Sequence, residues 1–236
     1  MKTLTLVIMF SAATTTLARE AVFDTGEKSR LILKTGAGEG PAWHPAYGLF
    51  FSGDEGITLM TPAGNTSVFL PKAGSNGLLF DHEGRLLVCQ PAYRRVIRLD
   101  AKSKHLQVLT DEYDGRHFNQ PNDITVDSAG RIYFSDPRYG SREGMELLDS
   151  GGREIEGVYR IDADGSVTRI ITHEVDRPNG ILITPDNRYL FVADNNNSEG
   201  GARMLWRFAL QADGTVDSAS RKLILTGNPV GVRMAW

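Results

Sequence analysis

The chain is short of several things that would otherwise decide its chemistry. Its 236 residues hold one cysteine, Cys89, so no intramolecular disulfide framework can form. Cys89 ends the apolar run Arg85-Leu86-Leu87-Val88-Cys89, with no flanking His or basic residue to stabilise a thiolate, which predicts a buried structural thiol. After residue 18 no apolar run is long enough to span a bilayer. Lys and Arg never form a run, and the formal net charge of −3 is mildly acidic. That argues against a nucleic-acid or anionic-membrane surface and points to a small molecule or a protein as partner. H-E-x-x-H, a cysteine pair and G-x-S-x-G are all missing, so neither zinc-protease nor serine-hydrolase chemistry has its residues. Gly36, Gly38 and Gly40 look superficially like a dinucleotide loop, but Pro41 and Pro45 follow where its helix should begin. No stretch of useful length carries helical periodicity.

At the N-terminus, Lys2, the apolar run Leu4 to Ala13 and the small-residue site Thr16-Leu17-Ala18 read as a secretory signal over residues 1–18. The expectation is a secreted or periplasmic protein whose residues 19–236 form a single domain. Loss of Lys2 would take the net charge to −4.

What the chain does have is one phrase written four times: Gly74-Ser75-Asn76-Gly77-Leu78, Gln120-Pro121-Asn122-Asp123-Ile124, Arg177-Pro178-Asn179-Gly180-Ile181 and, altered, Asn228-Pro229-Val230-Gly231-Val232. Glu39-Gly40-Pro41-Ala42-Trp43 is an earlier, divergent copy. Behind each of the three Asn phrases runs an apolar strand, a short Asp/Gly/Asn turn and a second strand, the signals of a β-hairpin. Further strands follow, such as 95–99 and 157–161, and then another turn and strand over 162–171. Units starting at 39, 76, 122, 179 and 230 recur every 37 to 57 residues, and four strands per unit at that period predict a β-propeller.

In a propeller the turn entering the innermost strand of each blade lies at the mouth of the central channel. Glu39, Asn76, Asn122 and Asn179 should therefore meet although they are far apart in sequence. One Asn before Gly is an ordinary turn former; recurrence at one register, with Glu39 at the matching place, favours a site. A carboxylate with amide oxygens is a hard donor set suited to Ca²⁺, Mg²⁺ or Mn²⁺. Asp136 and Asp194, at the ends of apolar strands, read as turn caps, and residues 141–156 as a polar loop at the pocket rim.

In Gly38-Glu39-Gly40-Pro41-Ala42-Trp43, Phe118-Asn119-Gln120-Pro121-Asn122-Asp123, Tyr133-Phe134-Ser135-Asp136-Pro137-Arg138-Tyr139-Gly140 and Arg177-Pro178-Asn179-Gly180-Ile181, the chain resembles the gluconolactonase and regucalcin (senescence marker protein-like) family. The likeness runs from about Gly36 to the last residue and is greater to the bacterial gluconolactonase branch. It implies an all-β, six-bladed propeller, here with about five blades or fewer complete, truncated or irregularly closed. It also implies metal-dependent hydrolysis of a lactone or a related sugar-derived cyclic ester. The implied cofactor is a divalent ion, Ca²⁺ first, with Mg²⁺, Mn²⁺ or Zn²⁺ as alternatives. Matched position by position, Glu39, Asn122 and Asn179 are metal ligands, and Asn76 and Gln120 line the substrate pocket. Gln120 stands where regucalcin-like members carry Arg. The family's last ligand, an Asp that is also its base or nucleophile, is matched by Val230, which has no ligand atom and takes no proton. That substitution sustains a rival expectation: a degenerate propeller that binds a small molecule or protein without turnover.

Overall fold

Turn chemistry and period-2 patterning produce four antiparallel sheets, each with its four strands side by side in chain order. They lie within residues 38–226, the part of the chain described by this computed structural model. The expected leader at residues 1–18 and the altered phrase at Val230 lie outside the described residues. The first blade comprises β1 (Glu39–His44), β2 (Gly48–Gly53), β3 (Gly56–Met60) and β4 (Thr66–Pro71); the second, β5 (Leu78–Phe80), β6 (Leu86–Gln90), β7 (Arg95–Leu99) and β8 (Leu106–Thr110). A small hairpin, β9 (Glu112–Tyr113) with β10 (Arg116–His117), leads into the third blade. That blade holds β11 (Ile124–Val126), β12 (Ile132–Asp136), β13 (Gly157–Ile161) and β14 (Val167–Ile171). The fourth holds β15 (Pro178–Ile183), β16 (Tyr189–Asn195), β17 (Arg203–Leu210) and β18 (Val216–Thr226). The repeat starts at 39, 76, 122 and 179 each open one of these blades. Among the described residues no helix is long and apolar enough to cross a membrane.

The alternation of side chains along each strand explains how blades stack. On β6, Leu86 and Val88 enter a core with Ala42, Phe50 and Ile57 of the first blade. Leu87 and Cys89, on the opposite face, pack with Ile124, Phe134 and Tyr159 of the third. The third blade turns Tyr133, Val158 and Ile171 toward Ile183, Leu190 and Val192 of the fourth. An inner blade is thus buried on both faces, and all five residues of β6 and of β12 are buried. The loop expected to be merely polar also contributes to the core. Leu148 bridges to Glu154, and the flanking Leu147 and Ile155 are buried beside Phe118.

Candidate functional site

The repeated phrase is where adjacent blades are joined. Ser52, Cys89, Ser135 and Ala193 occupy one register on the second strand of successive blades, beside Glu39, Gly77, Asp123 and the bulge at Asn179-Gly180. Two of these residues reach across to the next blade's Asn carbonyl: Ser52 Oγ donates to Asn76 O at 2.7 Å, and Ser135 Oγ to Asn179 O at 2.6 Å. In the second blade the main chain does the same, with Gly77 N donating to Asn122 O at 2.7 Å. Close approach explains the glycines. At Gly40, whose φ is +59°, an added Cβ would collide with the Asn76 carbonyl, and at Gly77 it would lie 2.5 Å from that of Asn122. The inner strands therefore meet at the level of the phrase, which sets Glu39, Asn76, Asn122 and Asn179 at the same height on neighbouring strands.

One residue further along, the phrase reads Gly77, Asp123 and Gly180. Asp123 uses its extra length to span the seam, its Oδ2 accepting the N–H of Ile181 at 2.8 Å. Burial raises its pKa against the opposing pull of the Ile181 and Ile124 N–H groups. Glu39 is likewise raised, first by burial and then by the charge of Asp123. Neither carboxylate has a salt-bridge partner among the described residues.

The amides beside them are deeply set, Asn122 and Asn179 each being 6% exposed. The Asn122 side-chain amide makes no hydrogen bond among the described residues, and that of Asn179 uses only its nitrogen, which donates to Tyr139 Oη at 2.9 Å. Carboxylate and amide oxygens without a compensating cation, in a partly desolvated place, fit a hard divalent ion. Among the described residues no three His, Cys, Asp or Glu side chains converge, so such an ion would depend on these amides.

The turn ahead of each Asn is held by a residue at or next to the end of the second strand. Asp136 accepts the N–H groups of Asn119 and Gln120, both at 2.8 Å; Asp194 accepts those of Asp176 and Arg177, both at 3.0 Å; Gln90 Nε2 donates to Ala73 O at 2.6 Å. Both aspartates are thus the turn caps their position suggested. Burial pushes the fully enclosed Asp136 carboxyl up to about 7 despite its two N–H donors. Cys89 is buried as expected, and its thiol is pushed well up by burial and then by Asp123 and Asp136.

The rim supplies a residue that sequence reading left without a role. Tyr139 donates its N–H to Gln120 Oε1 at 2.7 Å and its hydroxyl to Asn195 O at 3.2 Å, while Arg177 lies over its ring, 5.3 Å from the centroid. Arg177 is itself paired with Glu156 at 2.9 Å. No repeat marks Tyr139, because it belongs to the one long excursion that interrupts the third blade. Asp123 had a signal: it breaks the Asn-Gly pattern.

Four-stranded blades stacked about inner strands, with buried oxygen donors at one end, define a β-propeller carrying a candidate cation site. Sequence and fold comparisons agree with that class. Residues 37–231 match the family described as the SMP-30/Gluconolactonase/LRE-like region, and the chain belongs to it. A gluconolactonase of Zymomonas mobilis is 28% identical over 193 residues, which is 75% of this chain and 53% of the relative. The chain spans about half the length of that relative and a third or less of the other curated relatives it matches. The solved gluconolactonase of Xanthomonas campestris superposes with a TM-score of 0.66 at 29% identity, over 80% of this chain and 62% of that one. A calcium-binding regucalcin of Agrobacterium tumefaciens shares the fold, with a TM-score of 0.62 at 17% identity over 83% and 62% of the two chains.

Proposed function

We propose that this protein hydrolyses a lactone or a related cyclic ester at the level of the Asn phrases, with Glu39, Asn122 and Asn179 holding a divalent cation, Ca²⁺ first. The observation that carries the reading is the pair Glu39 and Asp123: two raised carboxylates, without a paired cation among the described residues, beside amides whose oxygens accept nothing there. A bound cation would polarise the ester carbonyl and acidify water. The chain's own residues would do the rest. Asn76 and Gln120 orient the substrate's oxygens, Tyr139 and Arg177 wall the rim against bulk water, and Asp136 holds the turn that presents Gln120 and Asn122. Family membership and the gluconolactonase relatives support the substrate class.

Titration of the purified chain with Ca²⁺, alongside hydrolysis of a panel of sugar lactones with and without chelator, tests the proposal. The expected result is saturable binding and turnover that chelation abolishes; turnover indifferent to chelation would sink the metal role. Val230, at the place of the family's acid, favours a second reading, a binder without turnover. Val230→Asp separates the two: a gain of lactonase activity marks an enzyme short of its base, and no gain a binding protein.

A further inference from the structure

Tyr139 touches two amide side chains with opposite polarity. Its backbone N–H donates to Gln120 Oε1 at 2.7 Å, which leaves Gln120 with the two donors of its Nε2 group. Its hydroxyl oxygen accepts from Asn179 Nδ2 at 2.9 Å, which leaves Asn179 with the lone pairs of Oδ1. The hydroxyl proton is committed to the Asn195 carbonyl at 3.2 Å, so it cannot be offered to Asn179. Turning the Asn179 amide over would set two lone-pair-bearing oxygens against each other. Turning that of Gln120 over would set N–H against N–H. The tyrosine itself is held by the Arg177 guanidinium over its ring and by the Arg177–Glu156 ion pair behind it.

We propose that Tyr139 is a positioning residue that fixes the polarity of both amides, presenting an oxygen at Asn179 to a cation and an N–H donor at Gln120 to a neutral, hydroxyl-rich substrate. The cation half rests on the reading of Asn179 as a ligand, and the substrate half on that of Gln120 as a pocket-lining residue. A neutral donor at Gln120 selects uncharged oxygens, whereas a guanidinium there would select anions. Gln120 therefore suits an uncharged lactone better than an acidic or phosphorylated one.

The test is a double-mutant cycle on the full chain, read by calorimetric titration with Ca²⁺. Tyr139→Phe removes the hydroxyl but keeps the backbone donor to Gln120, and it should weaken Ca²⁺ binding roughly 10–100-fold, as loss of a ligand-orienting partner does, with KM for a neutral lactone unchanged. In an Asn179→Asp background both terminal atoms are oxygens, so Tyr139→Phe should then cost almost nothing. Gln120→Glu keeps an oxygen for the Tyr139 N–H and removes the donor; it should raise KM for a neutral lactone about 10-fold, the worth of one neutral hydrogen bond. Wild-type protein that binds no Ca²⁺ overturns both the site and this inference. Wild-type binding with undiminished affinity in Tyr139→Phe, or an equal loss in both backgrounds, overturns the inference alone, and an unchanged KM in Gln120→Glu overturns its substrate half. Should Tyr139→Phe fail to fold, the wild-type Asn179 side-chain amide resonances without metal decide: a slowly exchanging, hydrogen-bonded NH₂ is expected, and a freely exchanging one refutes the arrangement.

Discussion

The third and fourth blades come from the same repeat, yet among the described residues only the third is enclosed on both faces. All five residues of β12 are buried, with Phe134 packed toward the second blade and Tyr133 toward the fourth. On β16 burial alternates as far as Val192: Leu190 and Val192 face the third blade, while Phe191 faces a cleft of about 380 Å³ shared with Ile181, Leu182 and Leu205. Leu182 is 59% exposed and Leu225 55%. Identical hairpin chemistry therefore yields different energetics, because a propeller strand gains its second layer of burial only from the neighbouring blade.

That contrast can be broken most forcefully in the core. Phe134, fully buried between Phe118 and Tyr159 at ring separations of 5.0 and 5.5 Å, should cost about 3–5 kcal/mol when changed to Ala. Leu182→Ala should change stability by less than about 0.5 kcal/mol. Urea unfolding of both variants checks the pair, and similar losses would show that the fourth blade is covered after all.

A smaller effect compares the two capping aspartates. Asp136 has a folded pKa of about 7 against 3.8 when unfolded, so between those values the folded protein binds the extra proton. Its contribution to stability is complete below the unfolded value and is lost as pH rises through 7, by at most a few kcal/mol. Urea midpoints at pH 5 and 7.5 should fall with pH in the wild type and fall less in Asp136→Asn. Burial also raises Asp194, but against three donors, the N–H groups of Arg177 and Asp176 and Trp206 Nε1, so Asp194→Asn should flatten the slope less.

The smallest effect concerns the seam. Ser135→Ala leaves the Asn179 carbonyl without its hydroxyl donor and should cost about 1–3 kcal/mol. Ala193→Ser, at the same register one blade on, should be close to neutral by thermal melting. Equal effects would mean that the hydroxyl bridge is not what joins these blades.

The features legible in the sequence were those that repeat. Hairpins, blade starts and strands such as 95–99 and 157–161 lie where period and turn residues put them, the turn and strand expected over 162–171 resolve into a strand at Val167–Ile171, and Asp136 and Asp194 cap turns as their position at strand ends suggested. The level of Glu39, Asn76, Asn122 and Asn179 was legible for the same reason. What escaped is unique to one blade. Tyr139 reaches Asn179 only through the fold of a loop with no period, and the buried Leu147 and Ile155 are hidden among polar neighbours. The pairing of Asp123 with Ile181 joins residues 58 positions apart, a contact that no local pattern encodes.

Cys89 stands in the register held by Ser52 and Ser135, so the chain carries one sulfur in a row of otherwise oxygen or methyl side chains. Enclosed between the second and third blades, it can meet a thiol-modifying reagent only when that seam parts. The molecule thus contains its own clock for blade separation, and labelling kinetics at a single natural position would time the breathing of the propeller without any introduced probe.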